Sequence, residues 1–310
     1  MPGNAPALSS ESRLRLIRPQ GTRPIHRFIL WRCAIAPDSA LNLSPEPEGE
    51  ISGLLLAADL YRLVHLLKAE AYDSAGRQVN YARLRSSPTY AEYRKCARRL
   101  QTFEPGELAG RAEQLAFWIN LYNALIVDAV LHFEIENSVT ESPGFFWRAA
   151  YAIGGRRYSA FDIEYGILRA NAAHPLIPGP HFGRGDPRRL YSLASLDPRV
   201  HFALVCAARS CPPIAVYEAG RIDAQLGAAA QAFINGGGVR IDRARKEVWF
   251  SQIFRWYAPD FGGRFFGLGN KRPLLEFAAR YLNDPGDREF LFQGNPSLRF
   301  QPYDWRLNRL

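Results

Sequence analysis

The chain has 310 residues, 47% of them hydrophobic and 22% charged, so its composition is that of a globular protein and excludes a low-complexity or fibrous chain. Its net charge is +9, yet all but four of its 39 basic residues are arginine, scattered singly or in pairs. This usage is typical of a GC-rich genome and predicts no specific nucleic-acid partner, although affinity for nucleic acid or acidic lipid is the competing interpretation. Four cysteines are too few for a disulfide framework in a chain of this length, so we expect a reducing, cytoplasmic location.

The first 50 residues form a region without apolar periodicity. They carry many arginines and almost no acidic residues before a stretch, 45–49, that reads PEPEG and is typical of a linker. We therefore expect residues 1–50 to be a disordered leader, of which residues 1 to about 45 are dispensable for the fold. Residues 51–310 are then expected to form one globular domain.

Helical patterns dominate the first half of that domain. Apolar residues recur at spacings of three and four over Ile51–Tyr72, and Ser87 and Pro88 begin a second helix that runs to about Leu100. A third helix, which starts near Arg111 and reaches His132, is apolar nearly all round. Such a helix must be surrounded by other elements, so it is predicted to lie at the centre of the domain. Polar residues interrupt it too often for a membrane span, and no transmembrane segment is expected.

Two asparagines interrupt the apolar surface of this central helix. Asn120 and Asn123 are three residues apart and therefore lie on one face. A buried amide needs hydrogen-bond partners, because each unpaired group costs about 1–3 kcal/mol. The pair predicts either a network that ties loop backbone to the helix or a functional site.

The second half of the domain mixes short strands with helices. Gly154 and Gly155 predict a hairpin, Ser159 begins a helix that contains Glu164, and the apolar run Val200–Cys206 predicts a strand buried on both faces. The remaining predicted elements are a helix over Ile222–Ile234, a hairpin over 239–251, a helix over Lys271–Leu282 and a strand over Ser297–Tyr303. Together these elements predict an α+β domain, rich in helix around its buried central helix, with a small, mainly antiparallel sheet.

Four ordered segments resemble the DUF547 family. They are residues 116–125 (AFWINLYNAL), 161–169 (FDIEYGILR), 197–214 (DPRVHFALVCAARSCPPI) and 303–308 (YDWRLN). The resemblance extends from about residue 51 to the C-terminus and implies a domain of unknown function found in bacteria, plants and animals. The family often carries a histidine after the glutamate of the second segment. Tyr165 stands there in this chain, so a mechanism that uses that histidine as a base does not apply. A distant relation to cysteine proteases or transglutaminases is a further expectation.

A thiol enzyme is the first hypothesis for function. Cys211 lies in a loop stiffened by two prolines, and Arg209 would favour its thiolate. Because side chains alternate along a strand, His201 and Cys206 would lie on opposite faces, which leaves Cys206 in the core and Cys211 as the accessible thiol. Cys211 is the predicted nucleophile and His201 its base, with Asn120 or Asn123 facing them. The substrate-binding candidates for a peptide-like substrate are Trp118, Tyr122, Glu164 and Arg209.

Two other classes of function compete with a thiol hydrolase or transferase. The aromatic face that carries Trp118 and Tyr122 predicts a non-catalytic module that binds a protein or peptide partner. Cys206 and Cys211 are close enough in sequence to form a disulfide, which predicts a thiol redox protein. No metal or other cofactor is expected, because His201 would be separated from Cys206 on the strand and the sequence lacks the motifs of nucleotide sites.

Overall fold

The computed structural model describes residues 22–43, 53–264 and 269–310. The α-helices in these ranges are α1 (Pro24–Arg32), α2 (Gly53–Ala71), α3 (Tyr81–Arg85), α4 (Pro88–Arg99), α5 (Arg111–His132), α6 (Phe145–Arg148), α7 (Ile222–Phe233), α8 (Gln252–Trp256), α9 (Arg272–Ala279) and α10 (Pro285–Gln293). The strands are β1 (Ala150–Ile153), β2 (Arg156–Ser159), β3 (Val239–Asp242), β4 (Glu247–Phe250) and β5 (Ser297–Phe300). A π-helical segment, Asp162–Leu168, follows β2. Helix thus predominates over sheet, as the sequence predicts.

Helix α5 is the central element of the fold. Every residue from Leu115 to Leu131 is buried, which confirms the prediction from its all-round apolar pattern. It is long and apolar enough to cross a membrane, but 94% of its most apolar window is buried inside the protein. Trp118 is fully buried in this core and packs against Tyr158 at 5.4 Å between ring centroids.

The sheets are small and mainly antiparallel. Strands β1 and β2 pair antiparallel across Gly154 and Gly155, whose φ angles of 52° and 69° require residues that tolerate the left-handed region. In the second sheet β4 pairs antiparallel with β3 and parallel with β5. Both predicted hairpins and the predicted α+β class are therefore confirmed.

The predicted strand Val200–Cys206 is wrong. Residues Pro198–Phe202 form a 3₁₀-helix, which begins because the Asp197 side chain accepts a hydrogen bond from the backbone N–H of Arg199. Asn123 then bonds the carbonyl of Ala203 and the N–H of Val205 at 2.9 Å each. These bonds occupy backbone groups that a strand would offer to a neighbouring strand, so the apolar run is buried without joining a sheet.

Part of the predicted leader is ordered. Within residues 22–43, helix α1 places His26 against Trp147 and His181, at 4.8 and 4.6 Å between ring centroids. Asn42 donates hydrogen bonds to the carbonyls of Ala97 and Ala152 and accepts one from the N–H of Ala152. The expectation of disorder through residue 50 is thus wrong for these residues. Residues 1–21 and the predicted linker 45–49 lie outside the described residues.

Candidate functional site

A cavity of about 440 Å³ lies between the C-terminal residues, the π-helical segment and the loop that follows residue 200. Its wall is mostly apolar. The aromatic side chains that line it include Phe146, Phe161, Tyr165, Trp256, Tyr303 and Trp305. The cavity also receives His201, Cys206 and Cys211, so three residues that the sequence links to thiol chemistry reach one surface.

The two cysteines of this wall form a pair. Their sulfur atoms lie at disulfide-bonding distance, with their Cα atoms 6.2 Å apart. The Cys206 N–H lies 2.8 Å from the sulfur of Cys211, and the Tyr303 hydroxyl lies 3.1 Å from the Cys206 sulfur and 3.4 Å from the Cys211 sulfur. Cys211 is 5% exposed whereas Cys206 is partly exposed. The expected order of accessibility is therefore wrong, because the segment that carries Cys206 is not a strand.

The C-terminal segment holds the cysteine loop in place. The N–H of Arg209 donates to the carbonyl of Arg306 at 2.9 Å, and the Ser210 hydroxyl accepts from the N–H of Asp304 at 2.9 Å. These bonds bring Tyr303 against the sulfurs. The side chain of Arg209 is exposed and is not among the residues that line the cavity.

The two asparagines of α5 bind backbone rather than lining the cavity. Asn120 donates to the carbonyl of Tyr217 at 2.8 Å and accepts from its N–H at 2.9 Å. Asn123 makes the equivalent pair of bonds to the segment before Cys206. Of the two readings that the sequence leaves open, this geometry matches the network that ties loop backbone to the helix. Asn123 positions the cysteine loop and does not itself reach the cavity.

An acid that the sequence interpretation missed holds His201. The Nε2 atom of His201 lies 2.7 Å from Asp260, and the guanidinium of Arg169 donates two hydrogen bonds to the same carboxylate at 2.6 and 2.8 Å. Burial opposes ionisation of Asp260, but the hydrogen bonds from His201 and Arg169 outweigh it and lower its pKa to about 2. The imidazole also stacks on Tyr257 with 3.9 Å between ring centroids.

Glu164 lines the cavity as a buried carboxylate with phenol partners. Its Oε1 accepts from the Tyr257 hydroxyl at 2.5 Å and its Oε2 from the Tyr122 hydroxyl at 3.2 Å. Burial and the negative charge of Glu164 raise the pKa of both phenols, and of Tyr303, well above the ordinary tyrosine value. These hydroxyls are therefore neutral hydrogen-bond donors at neutral pH.

The comparison with known families identifies part of the chain. Residues 105–234 match the model of DUF547, described as a protein of unknown function. The chain carries a DUF547 domain. No curated protein and no solved structure matches it.

The DUF547 match contains only part of the cavity wall. Glu164, His201 and both paired cysteines lie inside the matched range, whereas Asp260 and Tyr303 lie after it. The DUF547 segment thus supplies the sulfurs and the cavity carboxylate, and later residues supply the hydroxyl beside the sulfurs and the acid beside the histidine. Asp260 was not assigned to the site from the sequence, because it lies 59 residues after His201 and nothing in the local pattern indicates their contact.

The described part of the chain offers no metal site. In the described ranges, no group of three or more histidine, cysteine, aspartate or glutamate side chains is placed to hold a metal ion. His201, Cys206 and Cys211 share the cavity without forming such a group. The chemistry that the site offers is that of sulfur, imidazole, phenol and carboxylate.

Proposed function

We propose that this protein is a thiol–disulfide redox protein whose Cys206 and Cys211 exchange two electrons with a substrate held in the aromatic cavity. One observation carries the proposal: the two sulfurs lie at bonding distance in the cavity wall, against the hydroxyl of Tyr303. A structural disulfide buried in the core would lack this opening to a cavity.

The exposure of the two sulfurs supports a division of roles. In the reduced protein, the partly exposed Cys206 attacks a substrate disulfide as its thiolate and forms a mixed disulfide, and one substrate thiolate leaves and takes up a proton. The buried Cys211 then attacks the sulfur of Cys206. The Cys206–Cys211 disulfide forms, the second substrate thiolate leaves, and the substrate has gained two electrons and two protons.

Two neighbours of the sulfurs support this exchange. The N–H of Cys206 donates toward the sulfur of Cys211 and favours its thiolate, as backbone donors do. The Tyr303 hydroxyl reaches both sulfurs, and burial with the charge of Glu164 keeps it protonated. It can therefore donate a hydrogen bond to whichever sulfur carries negative charge during exchange.

The test measures the redox equilibrium of the pair. The protein is equilibrated in buffers of graded dithiothreitol ratio, free thiols are alkylated, and the Cys206–Cys211 peptide is identified by mass spectrometry. We expect one two-electron transition, which Cys206→Ser and Cys211→Ser each abolish. Cys96→Ser is the matched control, because Cys96 is a buried cysteine that does not line the cavity. If both thiols stay alkylatable in oxidising buffer, the proposal fails.

Tyr303→Phe separates a reactive pair from a merely structural disulfide. Loss of the hydroxyl should slow reduction of the disulfide by about tenfold, as expected when a proton or hydrogen-bond donor to a leaving group is removed. The rate is measured by stopped-flow mixing with dithiothreitol. An unchanged rate would argue that the disulfide only braces the loop.

A thiol-dependent hydrolase or transferase is the second candidate, favoured by the bond between His201 and Asp260. Since Asp260 occupies Nε2, Nδ1 is the nitrogen left to accept a proton from a thiol such as Cys211. Cys206→Ser distinguishes the two candidates. A hydrolase that uses Cys211 keeps its reactive thiol in this variant, whereas the redox protein loses its function.

A further inference from the structure

The charge balance of the cavity is unusual. Glu164 is 5% exposed and is held by two neutral phenols, not by a basic side chain. Neither lysine nor arginine is found among the described residues that line the cavity. His174, which does line it, has a pKa lowered to about 4, mainly by burial and then by the positive charge of Arg169, so it is neutral at pH 7.

The other carboxylate near this cavity is already neutralised. Asp260 receives both the guanidinium of Arg169 and the imidazole of His201. A guanidinium and a carboxylate in such contact cancel most of each other's field at a distance. Glu164 is therefore the carboxylate of the described cavity wall that has no basic partner.

We propose that the cavity binds an alkylammonium group, with the ammonium at Glu164 and its apolar stem against the aromatic wall. Each carboxylate oxygen of Glu164 accepts one tyrosine hydrogen bond, which leaves lone pairs for a ligand donor. Trp256, Tyr303 and Trp305 lie 4.7–5.6 Å apart between ring centroids and offer π-systems that attract a cation. The inference names the class of substrate for the proposed redox function. It rests on that function only where the ligand of the cavity is taken to be the redox substrate.

Anionic ligands and neutral ligands both fit this cavity poorly. An anionic ligand would face the charge of Glu164 with no lysine or arginine in the described wall to compensate it. A neutral apolar ligand would displace water from the carboxylate and give nothing in return, at the cost of an unsatisfied charged group. A cation replaces that lost hydration with a direct charge-assisted hydrogen bond.

The first test is a charge series of matched size. Phenethylammonium, 2-phenylethanol and phenylacetate are titrated into the Cys206→Ser/Cys211→Ser double variant, and binding is followed by the fluorescence of Trp256 and Trp305 in the wall. We expect the ammonium to bind at least about tenfold more tightly than the alcohol, and the carboxylate most weakly. Equal affinities, or a reversed order, would overturn the inference.

The second test changes the carboxylate. Glu164→Gln keeps the size and an acceptor oxygen but removes the charge, and it should weaken ammonium binding about tenfold without weakening alcohol binding. Glu218→Gln is the matched control, because Glu218 also accepts a tyrosine hydrogen bond, from Tyr61 at 2.5 Å, outside this cavity. If Glu164→Gln does not fold, the charge series on the double variant still decides the matter. Equal losses in both variants would contradict a role for Glu164.

Two further probes distinguish the source of the alkylammonium. N-acetyl-lysine amide carries the side chain of a peptide, and phenethyltrimethylammonium carries a quaternary group that accepts no hydrogen bond from Glu164's partners and donates none. Tighter binding of the lysine probe indicates a peptide substrate, and tighter binding of the quaternary probe indicates a small-molecule cation. Binding of neither would overturn the inference.

Failure of this inference and failure of the redox proposal remain separable. The double variant has no sulfur chemistry at the site, so ammonium binding can be found even if the cysteine pair proves inert. The redox titration uses the wild-type protein without any ammonium. A wild-type redox transition without cation selectivity would refute the inference alone.

Discussion

Two carboxylates on one short segment meet opposite surroundings. Asp162 and Glu164 both belong to the π-helical segment Asp162–Leu168, and they are 4% and 5% exposed. Residues two apart on a helix do not share a face. Asp162 therefore turns toward Arg188, His181 and Ser159, whereas Glu164 turns toward the cavity.

The partners decide what each carboxylate does. Asp162 lies 3.1 Å from the guanidinium of Arg188 and 2.9 Å from Nε2 of His181. Burial alone would raise the pKa of Asp162, but Arg188 and His181 outweigh it and hold that pKa well below its ordinary range. Glu164 has phenols in place of these basic groups. A buried acid with protein cations is a structural element, and one that faces a cavity with neutral donors is available to a ligand.

The largest expected effect comes from breaking the Asp162 cluster. Asp162→Asn leaves the buried guanidinium of Arg188 short of one carboxylate and should lower the free energy of unfolding by about 3–5 kcal/mol. Glu164→Gln should lower it by about 1 kcal/mol, since the phenols keep an acceptor. Urea denaturation of both variants measures the difference. Equal losses would show that the two carboxylates do not differ in role.

The asparagines of α5 provide the next comparison. Asn120→Ala and Asn123→Ala each leave a backbone N–H and a backbone carbonyl without their partner, at about 1–3 kcal/mol for each unpaired group. Their losses of stability should therefore be similar. Only Asn123→Ala should alter the rate at which dithiothreitol reduces the Cys206–Cys211 disulfide, because Asn123 holds the segment just before Cys206. A change of similar size in Asn120→Ala would contradict this division.

A smaller effect is expected at acidic pH, where Asp260 loses its contribution to the free energy of unfolding. The pKa of Asp260 is lowered to about 2 in the folded protein. The ionised carboxylate therefore stabilises the fold at any pH above the pKa that Asp260 has in the unfolded chain, and this stabilisation is lost as pH falls from about 4 to about 2. The loss is about 2 kcal/mol by linkage. Asp260→Asn should show a flatter dependence of unfolding free energy on pH over this range. If wild type and variant run parallel, Asp260 is not the group responsible.

The smallest expected effect concerns a phenol of the Glu164 site. Tyr257→Phe removes one donor to the carboxylate and should cost about 1 kcal/mol of stability. Tyr61→Phe removes a comparable donor to Glu218, where both side chains are half-buried and water can replace the bond, and should cost a few tenths of that. Thermal unfolding of the two variants makes the comparison. A larger loss in Tyr61→Phe would mean that the Glu164 site is better hydrated than its burial indicates.

The sequence by itself determined the elements that depend on local pattern. The all-round apolar surface of Arg111–His132 requires burial wherever the helix lies, so the central helix could be predicted. Gly154 and Gly155 require a turn with positive φ, and Ser87 with Pro88 caps the start of α4, where the serine accepts from the N–H of Tyr90. The proximity of Cys206 to Cys211 could be predicted as well, because a short loop between the two residues is enough to bring them together.

Only the tertiary structure decided how the site is assembled, because its partners come from distant parts of the chain. The run Val200–Cys206 has a strand's composition, but Asn123, 80 residues before Ala203, bonds its backbone and prevents strand pairing. Asp260 lies 59 residues after His201, and Tyr303 lies 97 residues after Cys206. Glu164 differs from Asp162 because Tyr122 and Tyr257 surround it where Arg188 and His181 surround Asp162. Local pattern carries no information on such contacts, since each is set by which elements the folded core brings together.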